Sequence, residues 1–197
     1  MIATTIDLDP LVFEENVYED YKRKTFGPMF IHAGINNAGL TPRDQKGILY
    51  YLKRRANFLL FLGNPGLGKT HLCAALTYWA HTYFQSQRYW TEASIHKELI
   101  RRQGEGRAWQ AELDEMMDYE FLFVDDVGRG KISDFQKSVF TELVDYRYKN
   151  QLPTIITSNL MMRDFAGIYH ERVASRLKAK GNIIIEKPYG IDHRREG

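Results

Sequence analysis

The densest chemistry in this chain lies in one short run: Gly63, Asn64, Pro65, Gly66, Leu67, Gly68, Lys69, Thr70 and His71. Its first eight residues fit GxxxxGK[ST], the spacing of a phosphate-cradling loop. Each part of the pattern has a physical job. Glycines let the backbone curl until successive N–H groups aim inward at phosphate oxygens. A helix beginning at Lys69 adds partial positive charge at its N-terminus. Lys69 can reach the β- and γ-phosphates, and the Thr70 hydroxyl can ligate Mg²⁺. The run predicts a nucleoside triphosphate site over residues 63–71, and the bland alternative is a glycine-rich turn.

Three further constellations could complete such a site. Phe121, Leu122, Phe123 and Val124 lead into Asp125 and Asp126. A buried strand ending in acids puts carboxylates at the carboxyl edge of a sheet, beside the loop. Asp125 would hold Mg²⁺, through water, together with Thr70. Asp126 could orient or deprotonate an attacking water; otherwise the two acids are a solvated turn. Asn159 follows Thr157 and Ser158 at the end of the next strand. Its amide can hydrogen-bond a γ-phosphate or the attacking water, or simply cap a turn. Arg172 and Arg176 share one helix face. They read either as a solvated basic stripe or as an arginine finger offered to a neighbouring subunit, which requires an oligomer.

Positioning these groups needs strands that alternate with helices. The apolar runs 58–62, 89–91, 121–124, 153–157 and 182–186 read as strands. Helices are expected at 41–55, 69–85, 94–102, 108–118, from 134 onward, and 168–179. Thr41, Pro42 and Asp44 offer an N-cap, a proline at N1 and an acid at N3. Ser133 and Gln136 form a capping box, ahead of a helix with Phe135, Val139, Phe140, Leu143 and Val144 inward. Leu72, Leu76, Trp79, Ala80 and Tyr83 mark the inner face of the helix after the loop. The predicted fold is α/β: a parallel five-stranded sheet with helices on both faces. Residues 1–40, with Phe13, Tyr18, Tyr21, Phe26 and Phe30 among charges and turn formers, read as an N-terminal arm on a core spanning 41–197.

Composition narrows the classes. A chain of 197 residues, 44% hydrophobic, can bury one sizeable core, and its formal charge of +2 creates no whole-molecule field for nucleic acid. Any such contact must use a local patch. Cys73, the single cysteine, reads as a small buried hydrophobe. No apolar run approaches the ~20 residues of a membrane span, and no signal peptide opens the chain. The expectation is a reducing, cytoplasmic setting without a membrane.

The runs GNPGLGKTHL, FLFVDDVG, SDFQKSVFTELVDYRYKNQLPTIITSNL and ERVASRL resemble the DnaC/IstB group of AAA+ ATPases. That group comprises bacterial replicative helicase loaders and ATPase helpers of transposition. The resemblance covers residues 41–187, with YRYKNQLPTIITSNL its most specific part. It implies ATP and Mg²⁺ as ligands, and an AAA+ sheet whose lid domain is absent or reduced. It implies Lys69 and Thr70 as the Walker A pair, Asp125 and Asp126 as Walker B, Asn159 as sensor 1 and Arg176 as the arginine finger. Arg194 would be a sensor 2 arginine, although His193 stands where the group has tyrosine. Its implied partners are a replicative helicase or a transposase, further copies of the chain, and single-stranded DNA. The DNA would lie along residues 97–109, which include Lys97, Arg101, Arg102, Arg107 and Trp109. Only a short arm stands where group members carry a helicase-gripping domain. A small-molecule kinase and a nucleotide-binding scaffold without turnover are the readings from other classes.

Overall fold

A computed structural model describes residues 15–35, 40–54, 56–105 and 109–187. Phe13, Arg107 and residues 189–194, with His193 and Arg194, lie outside the described residues. In chain order the elements are α1 (Glu15–Phe26), a 3₁₀ turn (Pro28–Phe30), α2 (Pro42–Arg54), β1 (Phe58–Gly63), α3 (Lys69–Tyr83), β2 (Gln87–Thr91), α4 (Glu92–Gly104) and α5 (Trp109–Asp118). They continue with β3 (Phe121–Val127), α6 (Asp134–Lys149), β4 (Thr154–Ser158), α7 (Phe165–Ile168), α8 (Glu171–Leu177) and β5 (Ile183–Lys187).

The five strands form one parallel sheet in the order β2-β3-β4-β1-β5. Central strands of such a sheet are buried on both faces, so they read as continuous apolar runs. Here β1 is buried along its whole length. Alternation then splits it. Phe58, Leu60 and Leu62 pack with Leu122, Val124 and Ile156 under α4 to α8. Leu59 and Phe61 pack with Phe121, Phe123 and Ile155 under α2 and α3. Each fully buried Leu or Phe contributes about 1.5–3 kcal/mol relative to exposure.

Helix ends follow the capping chemistry. Thr41 N–H donates to Asp44 Oδ2 (3.0 Å), and Asp44 N–H donates to Thr41 Oγ1 (3.2 Å). Ser133 and Gln136 make the same reciprocal pair at the start of α6. Near the end of α6 sits Arg147, fully buried. Its Nε donates to Thr154 Oγ1 (2.6 Å), Nη1 to the Met117 and Tyr119 carbonyls (2.7 and 2.8 Å), and Nη2 to the Pro153 carbonyl (2.9 Å). Burial lowers its pKa to about 10, so it stays charged at neutral pH. This guanidinium joins the end of α5, the approach to β3 and the start of β4.

Three expectations need correction. The predicted helix 168–179 is shorter: α8 covers Glu171–Leu177, and the short α7 (Phe165–Ile168) precedes it across a break at His170, whose φ is 130°. His170 Nδ1 then accepts from Arg172 N–H (3.2 Å) and caps α8. Phe135 and Tyr83, expected inward, are 37% and 39% exposed. Phe135 instead meets Trp109 edge-on at 5.4 Å, where α5 lies beside α6. The arm contains a full helix, α1, whose charge-rich sequence gave no clean apolar period.

Candidate nucleotide site

The loop leaves the carboxyl end of β1 and runs into α3. Gly63, Gly66 and Gly68 all have positive φ, at 147°, 85° and 77°. At Gly63 a Cβ would lie 2.2 Å from the Lys187 carbonyl oxygen, because β5 runs against the loop. No side chain fits there. Lys69 is 8% exposed, and its Nζ donates to the Gly63 and Asn64 carbonyls, both at 2.8 Å. Its ammonium therefore sits inside the curl of the loop. Asn64 and Pro65 are exposed, and Leu67 is buried. The His71 side chain turns to the arm, with Nε2 3.3 Å from the Gly34 carbonyl and its ring 6.4 Å from that of Phe30. Any phosphate contact by His71 would thus be through its backbone.

Asp125 is the electrostatic centre. It is 3% exposed and lies on β3, between β2 and β4. Thr70 Oγ1 donates to its Oδ2 at 2.9 Å, and the Tyr89 hydroxyl donates to the same oxygen at 2.6 Å. Thr157 Oγ1 and the Asp126 N–H (3.0 Å) donate to Oδ1. The donors around this carboxylate are neutral. Thr70 and Asp125 form a close pair of hard oxygen groups, the donor type Mg²⁺ takes, so the residues present fit that ion.

Asp126 takes φ 59°, uncommon for a residue with a Cβ. Its N–H also reaches Thr157 Oγ1 (3.1 Å), and its Oδ2 accepts from Arg129 Nη1 (2.7 Å). Asn159 is half-buried just beyond β4, at the same sheet edge. The fold thus brings Lys69, Thr70, Asp125, Asp126 and Asn159 to neighbouring strand ends.

It does not bring the arginines there. Arg172 and Arg176 of α8 both form ion pairs with Asp145 of α6, Arg172 Nη2 at 2.5 Å from Oδ2. The Arg176 guanidinium also lies 5.5 Å from the centre of the Tyr148 ring. A cleft of about 730 Å³ opens here, lined by Asp114, Lys137, Glu142, Asp145 and Arg172 among others. None of residues 63–71 lines it.

The expected DNA patch is largely occupied from within. Arg101 pairs with Glu98 and Glu105, while Arg102 Nε lies 3.0 Å from Glu98 and 3.1 Å from Glu112. Trp109 packs on Phe135, and Lys97 remains exposed. Sequence reasoning missed Tyr89, Thr157 and Asp145. Tyr89, paired in parallel with β3, shares face parity with Asp125, a relation that only the strand order supplies.

A family model described as IstB-like ATP binding protein matches residues 43–176, from α2 to Arg176. The replicative helicase loader DnaC of Escherichia coli (strain K12) is 28% identical over 129 residues, 64% of this chain and 52% of that protein. An ATP-binding protein of insertion sequence IS232 from Bacillus thuringiensis subsp. berliner is 27% identical over 123 residues, 62% of this chain and 48% of that one. The chain thus spans about half the length of these curated relatives. A crystal structure of the DnaC helicase loader matches with a TM-score of 0.67 at 23% identity, over 80% of this chain and 98% of that chain. At that identity the likeness speaks for the fold. No helix among the described residues is long and apolar enough to cross a membrane.

Proposed function

We propose, since this chain belongs to the IstB-like ATP-binding protein family, that it is an AAA+ ATPase whose nucleotide state governs assembly on DNA, in the manner of a replicative helicase loader. The observation that carries the reading is the Thr70–Asp125 contact at 2.9 Å, set beside Lys69 inside the glycine loop.

Mg²⁺, when bound, supplies charge neutralisation on the β- and γ-phosphate oxygens. The chain does the rest. The N–H groups of the 63–70 loop, Pro65 excepted, would hold the phosphates, and Lys69 would exchange loop carbonyls for phosphate oxygens. Thr70 and Asp125 would hold the ion. Asp126, once Arg129 releases it, orients a water and takes its proton, while Asn159 aligns that water or the γ-phosphate from the next strand. The water oxygen bonds to the γ-phosphorus, the bond from phosphorus to the bridging oxygen breaks, and ADP and phosphate leave. Arg176, with Arg172 beside it, would reach the γ-phosphate of an adjacent copy. The separation of the α8 cleft from the loop supports that arrangement between subunits.

The partner follows the relatives. A helicase is the first candidate, through the loader resemblance. A transposase is the second, because the insertion-sequence relative is nearly as similar as the loader. Single-stranded DNA at residues 97–109 would meet Lys97 directly and Arg101 and Arg102 only after their glutamates yield. Phosphate release, measured with and without single-stranded DNA, tests the reading. Wild-type protein should turn over ATP, and Lys69→Ala should lose nucleotide binding. Equal turnover in both proteins would overturn the site assignment. An Asp126→Asn protein held with ATP and used as bait then separates helicase from transposase.

A further inference from the structure

Tyr89 sits where two parts of the molecule meet. Its hydroxyl donates to Asp125 Oδ2 at 2.6 Å. Its ring lies 4.3 Å, centre to centre, from that of Phe26, the last residue of α1 in the arm. The arm is fastened to the same end of the site elsewhere. Lys22 Nζ donates to the Ala33 carbonyl (2.8 Å), and the next residue's carbonyl, Gly34, faces His71 at the start of α3. Phe30 meets both Phe26 and His71 edge-on.

We propose that Tyr89 is a positioning residue that fixes the Asp125 carboxylate for the metal ion and links its occupancy to the N-terminal arm through Phe26. The inference rests on the nucleotide reading above. Thr70 and Tyr89 donate to the same oxygen. A hydroxyl carries one donor and two lone pairs, so Thr70 can turn a lone pair to a cation while its O–H still donates to Oδ2. Tyr89 is the second donor on that oxygen, and together the two fix where the free lone pairs of the carboxylate point. Because Phe26 packs against the ring, a shift of the hydroxyl moves the contact with α1. Metal arrival at one end of the site thereby becomes a change in how tightly the arm is held.

Tyr89→Phe keeps the ring and its packing and removes only the hydrogen bond. The full chain and this variant are titrated with a fluorescent ADP analogue, in EDTA and across a Mg²⁺ series. Trypsin cutting after Lys22, Arg23 and Lys24 is followed in parallel. The variant should bind the analogue in EDTA within about twofold of wild type yet need about tenfold more Mg²⁺ for the metal-dependent gain. Mg²⁺ with ADP should change the cutting rate of α1 in wild type and leave it unchanged in Tyr89→Phe. Phe26→Ala should raise the Mg²⁺ requirement in the same direction, by less. An unaltered Mg²⁺ requirement in Tyr89→Phe overturns the positioning role. Metal-dependent arm cutting that survives Tyr89→Phe, or a Phe26→Ala protein like wild type, overturns the link to the arm. If wild type fails to bind the analogue at all, the nucleotide reading itself fails and takes this inference with it.

Discussion

Asp125 and Asp145 are both buried aspartates with several partners, and they are furnished in opposite ways. Asp125 collects hydroxyl donors from Thr70, Tyr89 and Thr157 and one backbone amide. Its charge is solvated but not cancelled, so a cation gains there. Asp145 collects two guanidinium groups, Arg172 and Arg176. Its charge is met by full positive charges, so a further cation gains little there. One carboxylate is hydrogen-bonded by neutral donors; the other is held in ion pairs.

The comparison can be broken at either end. Arg176→Ala should leave ATP binding unchanged and lower turnover by about 10³-fold, the usual weight of an arginine finger. Unchanged phosphate release would make the Asp145 cluster purely structural. Asp125→Asn retains the shape and loses the charge. It should reduce turnover by about 10²-fold and abolish the gain in nucleotide affinity on adding Mg²⁺, read by titration in and out of EDTA. Asp145→Asn sharpens the contrast with the smallest effect. Its pairs are partly solvent-screened, so the folding cost should be about 1 kcal/mol, read by urea unfolding. With the arginines released, half-maximal turnover should need less protein, measured across a dilution series. A rise in the required concentration would mean that Asp145 presents the arginines instead of restraining them.

The parts visible in the sequence were those whose chemistry is local. The glycine loop, its strand and helix, the acids ending β3 and both capping boxes depend on residues a few positions apart. What stayed hidden depends on strand order. Tyr89 and Thr157 reach Asp125 only because β3 lies between β2 and β4, and period-2 patterning does not give neighbours. Gly167 lies three residues before the break, yet at the break itself a histidine takes the strained angle and caps α8 with its own ring. The basic stretch after β2 was readable and misleading. Glu98 and Glu105 stand within one helical turn of Arg101, the spacing at which charges pair. Arg147, inside the most family-specific wording, does structural work: it holds the Met117, Tyr119 and Pro153 carbonyls together.

Glu92, the first residue of α4, is 5% exposed and joins segments far apart in the chain. Its Oε2 accepts from the Gly128 N–H at 2.8 Å and its Oε1 from the Tyr169 hydroxyl at 2.7 Å. Gly128 belongs to the turn that follows Asp126, and Tyr169 is the last residue before the bend that starts the arginine helix. The two segments are therefore moored to one post. Gly128 and Tyr169 are 41 positions apart, yet one carboxylate accepts from both. Removing it would take an acceptor from the turn after Asp126 and from the approach to α8 in a single substitution.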